Sequence, residues 1–407
     1  MIDLSQLSPM MQHYMETKKE YPDCVLFYRL GDFYEMFFDD ALTVSKELEI
    51  TLTGKDCGLS ERAPMCGVPF HALDSYLYRL VQKGYKVAIA EQMEDPRQAK
   101  GLVKREVIRV VTPGTITSSQ VLDETKNNYL MGIVYMDGIY GISTADISTG
   151  DFMVTEVDSD RELFDEINKF SPSEIICNNA FYMSGVDMDE LKNRYQVVIS
   201  ALDSRFFGEE SCRRILMEHF KSTLEHITTI TPYSTGQYMV IDTSTRRNLE
   251  LVETMREKQK RGTLLWVLDK TKTAMGARLL RACIEQPLIH RDEIIKRQNA
   301  VEELNMNYIS REEICEYLNP IYDLERLIGR ISYKTANPRD LIAFRSSLEM
   351  LPYIKRILGE FNSELLAELG RELDPLQDIF QLIGDAIVEE PPITVREGGI
   401  IKDGYNQ

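Results

Sequence analysis

The stretch Val25-Leu26-Phe27-Tyr28-Arg29-Leu30-Gly31-Asp32-Phe33-Tyr34-Glu35-Met36-Phe37 decides how the front of this 407-residue chain folds. The run to Leu30 reads as a strand, and Gly31-Asp32 as a tight turn or bulge. If the backbone is extended again beyond the turn, alternation puts Phe33 and Glu35 on one face and Tyr34 and Met36 on the other. Packing has little use for a ring and a carboxylate side by side on one face. Two readings follow. In the first, Phe33 is core and Glu35 is merely solvated; in the second, the ring inserts between bases while the carboxyl group hydrogen-bonds a base edge. Spacing alone favours the first.

Working outward, the chain is too long for one ordinary core and predicts two to four domains. Its 43% hydrophobic and 28% charged content describe a globular protein. No uninterrupted apolar run could span a bilayer, and Met1-Ile2-Asp3-Leu4-Ser5 lacks a basic-then-apolar leader, so a cytoplasmic location is expected. Seven cysteines, at 24, 57, 66, 177, 212, 283 and 315, form no CxxC pair, and five histidines show no ligand spacing, so no metal site is expected. The net charge of −18 argues against indiscriminate DNA binding through a basic surface. Residues 1–113, however, carry 14 Lys/Arg against 17 Asp/Glu, a far milder balance than the rest of the chain. Within them Arg97, Lys100, Lys104, Arg105 and Arg109 face a single Glu106 and form a candidate phosphate-backbone patch; a solvated turn is the plainer reading.

Three parts emerge. Residues 1–113 mix short strands with amphipathic helices, such as Ala72 to Lys83, and residues 114–128 form a polar linker. From Tyr129, two apolar runs flank Asp137-Gly138, a hairpin signal, and Phe152 to Val154 adds a strand. A helix over Arg161 to Phe170 and strands at Glu174 to Cys177 and Val197 to Ile199 complete an α/β domain over 129–242. Residues 243–395 read as all-α, with helices over Arg246 to Lys260, Thr271 to Gln286, Arg291 to Leu304, Asp323 to Ile331, Pro338 to Leu351 and Ser363 to Ile387. Residues 396–407 begin a further segment.

The signature Gly31 to Phe37 resembles that of the mismatch-binding domain of the MutS family, bacterial sensors of DNA mismatch repair. Further blocks follow in the family's order: Pro64 to His71, Lys83 to Gln92, Val103 to Val107, Val111 to Thr115, Asp242 to Leu251, Gly262 to Pro287 and Asp323 to Arg330. The resemblance covers nearly the whole chain. It implies a multidomain fold: an α/β mismatch-binding domain, a ribonuclease-H-like α/β connector domain, then an all-α lever region. The chain departs from the family between Phe220 and Leu224, where a helical stretch is missing, so the connector is expected to be shortened.

The resemblance also implies a role. Phe33 would enter the minor groove and stack on a mispaired or unpaired base, and Glu35 would hydrogen-bond that base, as an anion accepting from an N–H or protonated and donating to a ring nitrogen. Implied partners are double-stranded DNA with mismatches or small loops, a second copy in the family's dimer, and MutL through connector and ATPase regions. ATP and Mg would belong to the ATPase domain of the parent protein, which is expected to be an ATPase. This chain contains no G-x-x-x-x-G-K-[ST] run, and Thr53-Gly54-Lys55-Asp56 reads as a turn rather than a phosphate cradle. It is therefore expected to be part of a longer protein, without a cofactor or catalytic residue of its own. Two other classes remain as alternatives. One is a MutS-like DNA-binding or scaffold protein without mismatch specificity. The other is a metal-dependent nuclease on the ribonuclease-H-like domain, using Asp146, Asp151 and Glu174.

Overall fold

The computed structural model describes residues 6–94, 103–118, 121–195, 197–202, 227, 229–393 and 395–405. The chain begins with helix α1 (Pro9–Glu20), then β1 (Cys24–Leu30), β2 (Phe33–Phe37), α2 (Phe38–Leu48), β3 (Thr53–Lys55), β4 (Ala63–Pro69), α3 (Leu73–Gln82), β5 (Lys86–Gln92) and β6 (Arg105–Val111). The strands form one six-stranded sheet in the order β3-β4-β2-β1-β5-β6. Only the β1–β5 pair is parallel; β1–β2, β2–β4, β3–β4 and β5–β6 are antiparallel.

Burial explains why the opening stretch is so apolar. β1 lies at the centre of the sheet with both faces covered, so six of its seven residues are buried. Val25, Phe27, Tyr34 and Met36 pack under α2 and α3 against Ala41, Val44, Leu48, Leu77, Leu80 and Val81. Leu26, Tyr28 and Phe37 face the other way, against Met11 and Tyr14 of α1. That second core continues into the next domain through Leu130, Ala145, Ile147 and Phe152, so the two domains share apolar packing.

The expected linker is structured where it leaves the first sheet. Thr112 and Thr115 form a reciprocal capping box around a short turn of 3-10 helix. A Cβ at Gly114 would sit about 3.0 Å from Leu130 and 3.1 Å from Glu174, so the passage is tightly packed around this glycine. The second domain then forms β7 (Leu130–Met136), β8 (Ile139–Asp146), β9 (Asp151–Val157), α4 (Asp160–Phe170), β10 (Glu174–Asn178), α5 (Asn179–Tyr182), α6 (Met188–Tyr195), β11 (Val198–Leu202) and β12 (Thr231–Pro232). Its sheet order is β11-β10-β7-β8-β9-β12. Asp137 and Gly138 both have positive φ, 51° and 86°, as a type I′ hairpin turn requires. The shortened stretch at Phe220 to Leu224 lies outside the described residues.

The remainder is helical: α7 (Thr243–Asn248), α8 (Leu264–Leu268), α9 (Ala274–Glu285), α10 (Arg291–Met306), α11 (Tyr308–Leu318), α12 (Leu324–Ser332), α13 (Pro338–Leu358), α14 (Glu364–Glu372) and α15 (Gln377–Ala386). Two expectations fail here. The helix expected over Arg246 to Lys260 ends at Asn248, because Glu250 turns to φ 45° and Lys258 to φ 51°. Side chains hold that irregular stretch instead, with the Met255 amide on Glu250 at 2.8 Å and the Gln259 amide on Thr254 at 3.3 Å. The single helix expected over Ser363 to Ile387 is two, separated around Pro375 with Leu376 at φ 49°.

The helical part is tied to the linker by two arginines. Arg278 is pinned by Asp323 at 2.6 and 2.8 Å and donates to the Glu124 carbonyl at 3.0 Å. Arg326 donates to the carbonyls of Asp123 and Lys126, at 3.1 and 2.6 Å. α12 also presses against the β8–β9 turn, where a side chain on Gly329 would come within 2.6 Å of the Ser148 carbonyl oxygen.

Candidate nucleic-acid interface

The hairpin between β1 and β2 carries the two residues singled out by sequence. Leu30 pairs with Phe33 and Tyr28 with Glu35, leaving Gly31 and Asp32 as the connection. Gly31 has φ 58° while Asp32 is not among the positive-φ residues, the pattern of a II′ turn with glycine at its first central position. Phe33 and Glu35 do share a face, as alternation predicts. Phe33 is 47% exposed at the open end of the sheet, whereas Tyr34 and Met36 on the reverse face are buried.

The floor beneath the pair is Gly67 of β4, directly opposite Glu35. A Cβ there would stand 3.5 Å from Glu35 Cγ and 3.8 Å from a Phe33 ring carbon, so the missing side chain keeps the space beside both residues open. Lys55 reaches over from β3, its Nζ 2.5 Å from Glu35 Oε2. Thr53 to Lys55 is thus an edge strand, where a turn was expected, and its lysine holds the carboxylate. Sequence reasoning missed that role because the ion pair spans 20 residues and two strand boundaries.

The basic patch fares differently. Arg97 and Lys100 lie outside the described residues. Lys104 is exposed and paired with Glu106 at 2.5 Å. Arg105 turns inward: it is buried, donates to the carbonyls of Arg29 and Val103 at 2.7 Å each, and lies 5.1 Å over the Tyr28 ring. Arg109 is half-buried, donates to Thr117 Oγ1 at 3.1 Å, and burial lowers its pKa. Strand alternation is the cause, since β6 turns Arg105 inward while Glu106 points out. Arg105 and Arg109 are held by partners within the fold, and of the candidate phosphate-backbone residues that are described only Lys104 is exposed.

The nuclease constellation also fails to assemble. Asp146 is fully buried and accepts from Asn127 Nδ2, the Asn128 amide, and the Ser148 amide and hydroxyl, at 2.7–3.1 Å. Asp151 accepts from the Tyr129 hydroxyl at 3.1 Å, and Glu174 from the Gly114 amide at 3.2 Å. Burial raises the pKa of both Asp151 and Glu174. Among the described residues no group of three or more His, Cys, Asp or Glu could hold a metal ion, and no helix is long and apolar enough to cross a membrane.

Two α/β domains followed by a helical region, with an exposed aromatic and a carboxylate at one sheet's open end, match a known class of DNA repair protein domain by domain. Residues 8–120 match MutS domain I, residues 128–240 MutS domain II, and residues 244–406 MutS domain III. The chain belongs to the MutS family of DNA mismatch repair proteins. It is 59% identical to the DNA mismatch repair protein MutS of Lachnoclostridium phytofermentans over 99% of this chain and 47% of that protein. The MutS proteins of Ruminiclostridium cellulolyticum and Acetivibrio thermocellus are 50% and 49% identical, each over 99% of this chain and 50% of the relative. The chain thus spans about half the length of the curated relatives it matches. The first alignment runs over 434 positions, more than the 407 residues present here, so that relative carries residues this chain lacks.

Proposed function

We propose that this chain recognises mispaired or unpaired bases in double-stranded DNA by inserting Phe33 from the minor groove, with Glu35 hydrogen-bonding the displaced base. The observation that supports this most is the geometry at the hairpin: an exposed ring and a carboxylate on one face, above a glycine that leaves room beside them. Unstacking a base step costs on the order of a few kcal/mol. A mispair has less stacking and pairing to lose, so insertion is cheaper there. Recognition by deformability explains how one residue pair serves many mismatches. Lys55 adds a local positive charge, which lessens the repulsion between Glu35 and nearby phosphates.

In this reading the protein acts in the cytoplasm as part of a dimer. A nucleotide-binding region outside this chain uses ATP and Mg to couple recognition to MutL. The chain itself catalyses nothing. The test is an anisotropy titration of a G·T-mismatched duplex and its matched control at low salt. The intact chain should prefer the mismatch, and Phe33→Ala should abolish the preference while keeping salt-dependent binding. An unchanged preference in Phe33→Ala would sink the wedge. No preference in the intact chain would favour a MutS-like scaffold or DNA-binding protein without mismatch specificity.

A further inference from the structure

We infer that Arg29 is a positioning residue that fixes the angle at which Phe33 is presented; this rests on the reading of Phe33 as the wedge. Arg29 lies on β1 just before the turn, with its side chain only 9% exposed. Its Nε–H donates to the carbonyl of Gly31, the first turn residue. Its guanidinium lies 4.1 Å over the Phe70 ring and 5.4 Å from the Tyr34 ring, with Nη1 3.6 Å from Glu91. The Phe70 amide in turn donates to the carbonyl of Asp32, the second turn residue, at 2.9 Å. Both carbonyls of the connection are therefore held, one by Arg29 and the other by the residue on which Arg29 stacks. The Tyr34 hydroxyl donates to Glu91, which closes the network beneath the strand that carries Phe33.

A wedge must push against base stacking, and a ring on a compliant two-residue turn would swing aside instead. Precision of this kind requires side chains locked by packing and a supporting set of hydrogen bonds. Arginine suits the position because a planar guanidinium stacks and donates at once; a lysine keeps the charge but does neither as well. No other described cation reaches the turn: Arg105 is spent on the Arg29 carbonyl, and Lys55 on Glu35.

The test uses the whole chain carrying Phe33→Trp, with its single native tryptophan removed by Trp266→Phe. Time-resolved anisotropy of the introduced indole reads the local order of the wedge without DNA. Arg29→Met should add a subnanosecond component, Arg29→Lys an intermediate one, and Phe70→Leu, which removes only the stacked ring, should loosen the reporter too. In the native-tryptophan background, Arg29→Met should cut the mismatch-over-match preference about tenfold, leaving matched-duplex affinity unchanged. Indole order unchanged in both Arg29→Met and Phe70→Leu would overturn the inference. If Arg29→Met fails to fold, Phe70→Leu and Arg29→Lys decide it alone. A parent chain without mismatch preference would refute the wedge reading, while indole order would still decide whether Arg29 stiffens the turn.

Discussion

The two α/β domains each build a six-stranded sheet, yet Asp146 and Glu174 of the second and Glu35 of the first are held in opposite ways. In the second domain Asp146 and Glu174 are fully buried, and backbone or side-chain donors hold them. Asp146 staples the β8–β9 turn to the segment entering β7, and Glu174 grips the passage from the first domain. In the first domain Glu35 has a single lysine partner and lies beside a ring that is 47% exposed. A carboxylate surrounded by fixed amide donors is committed to holding the chain together. In the proposed reading, one held by a lysine at an open sheet end exchanges that partner for a base. Sequence alone makes Asp146 and Glu35 look equally available; only the count and kind of donors separates them.

That contrast can be broken by mutation. The largest effect should come from Asp146→Ala, which strands the Ser148 amide at the β8–β9 turn and the Asn128 amide at the entry to β7. We expect a loss of roughly 3 kcal/mol or more in urea unfolding, with any mismatch preference intact in the folded fraction. Phe33→Ala should do the reverse. Base–aromatic stacking is worth about 1–3 kcal/mol, so mismatch preference should fall about tenfold or more, with the unfolding midpoint nearly unmoved because the ring is half exposed.

The linker clamp gives a pH test. Burial alone pushes the Asp323 carboxyl upward, but hydrogen bonds from the Arg278 guanidinium outweigh it and leave the pKa below its ordinary value. A folded pKa lower than the unfolded one means stability that is fully present above the unfolded value, about 3.9, and lost as pH falls through the folded value. Urea midpoints measured from pH 6 down to pH 3 should fall more steeply for the intact chain than for Arg278→Ala. Equal slopes would mean that the pair does not couple. The smallest effect should be Gly67→Ala. Its methyl would meet the Tyr34 carbonyl at 3.3 Å and narrow the floor beside Glu35. We expect mismatch preference reduced about threefold at nearly unchanged matched-duplex affinity, read by the same titrations.

Much of the first sheet was legible because its residues obey one period. Val25 to Arg29 is buried on both faces, and Phe33 to Met36 alternates between open and buried sides, so the hairpin and the shared face of Phe33 and Glu35 followed from counting. In the basic patch, charge in the sequence does not say which side chains the strand turns inward. Arg105 lies on the face of β6 that packs inward over Tyr28, and the alternation of the residues around it was the available signal. The helix expected beyond Arg246 failed for another reason. Leu249, Val252 and Met255 have helical spacing, but Glu250 adopts a left-handed conformation that no spacing reveals. Lys55, Arg278 and the stacking of Arg29 on Phe70 were invisible in sequence because each depends on a partner that only folding brings close.

The central claim is that the exposed ring of Phe33 enters the base stack. The most direct measurement is the fluorescence of 2-aminopurine placed next to a G·T mismatch, titrated with the intact chain and with Phe33→Ala at low salt. Insertion should unstack the probe and raise its emission with the intact chain, while Phe33→Ala should bind and leave it quenched. An equal rise with both proteins would contradict the account, because the distortion would then come from somewhere other than this ring.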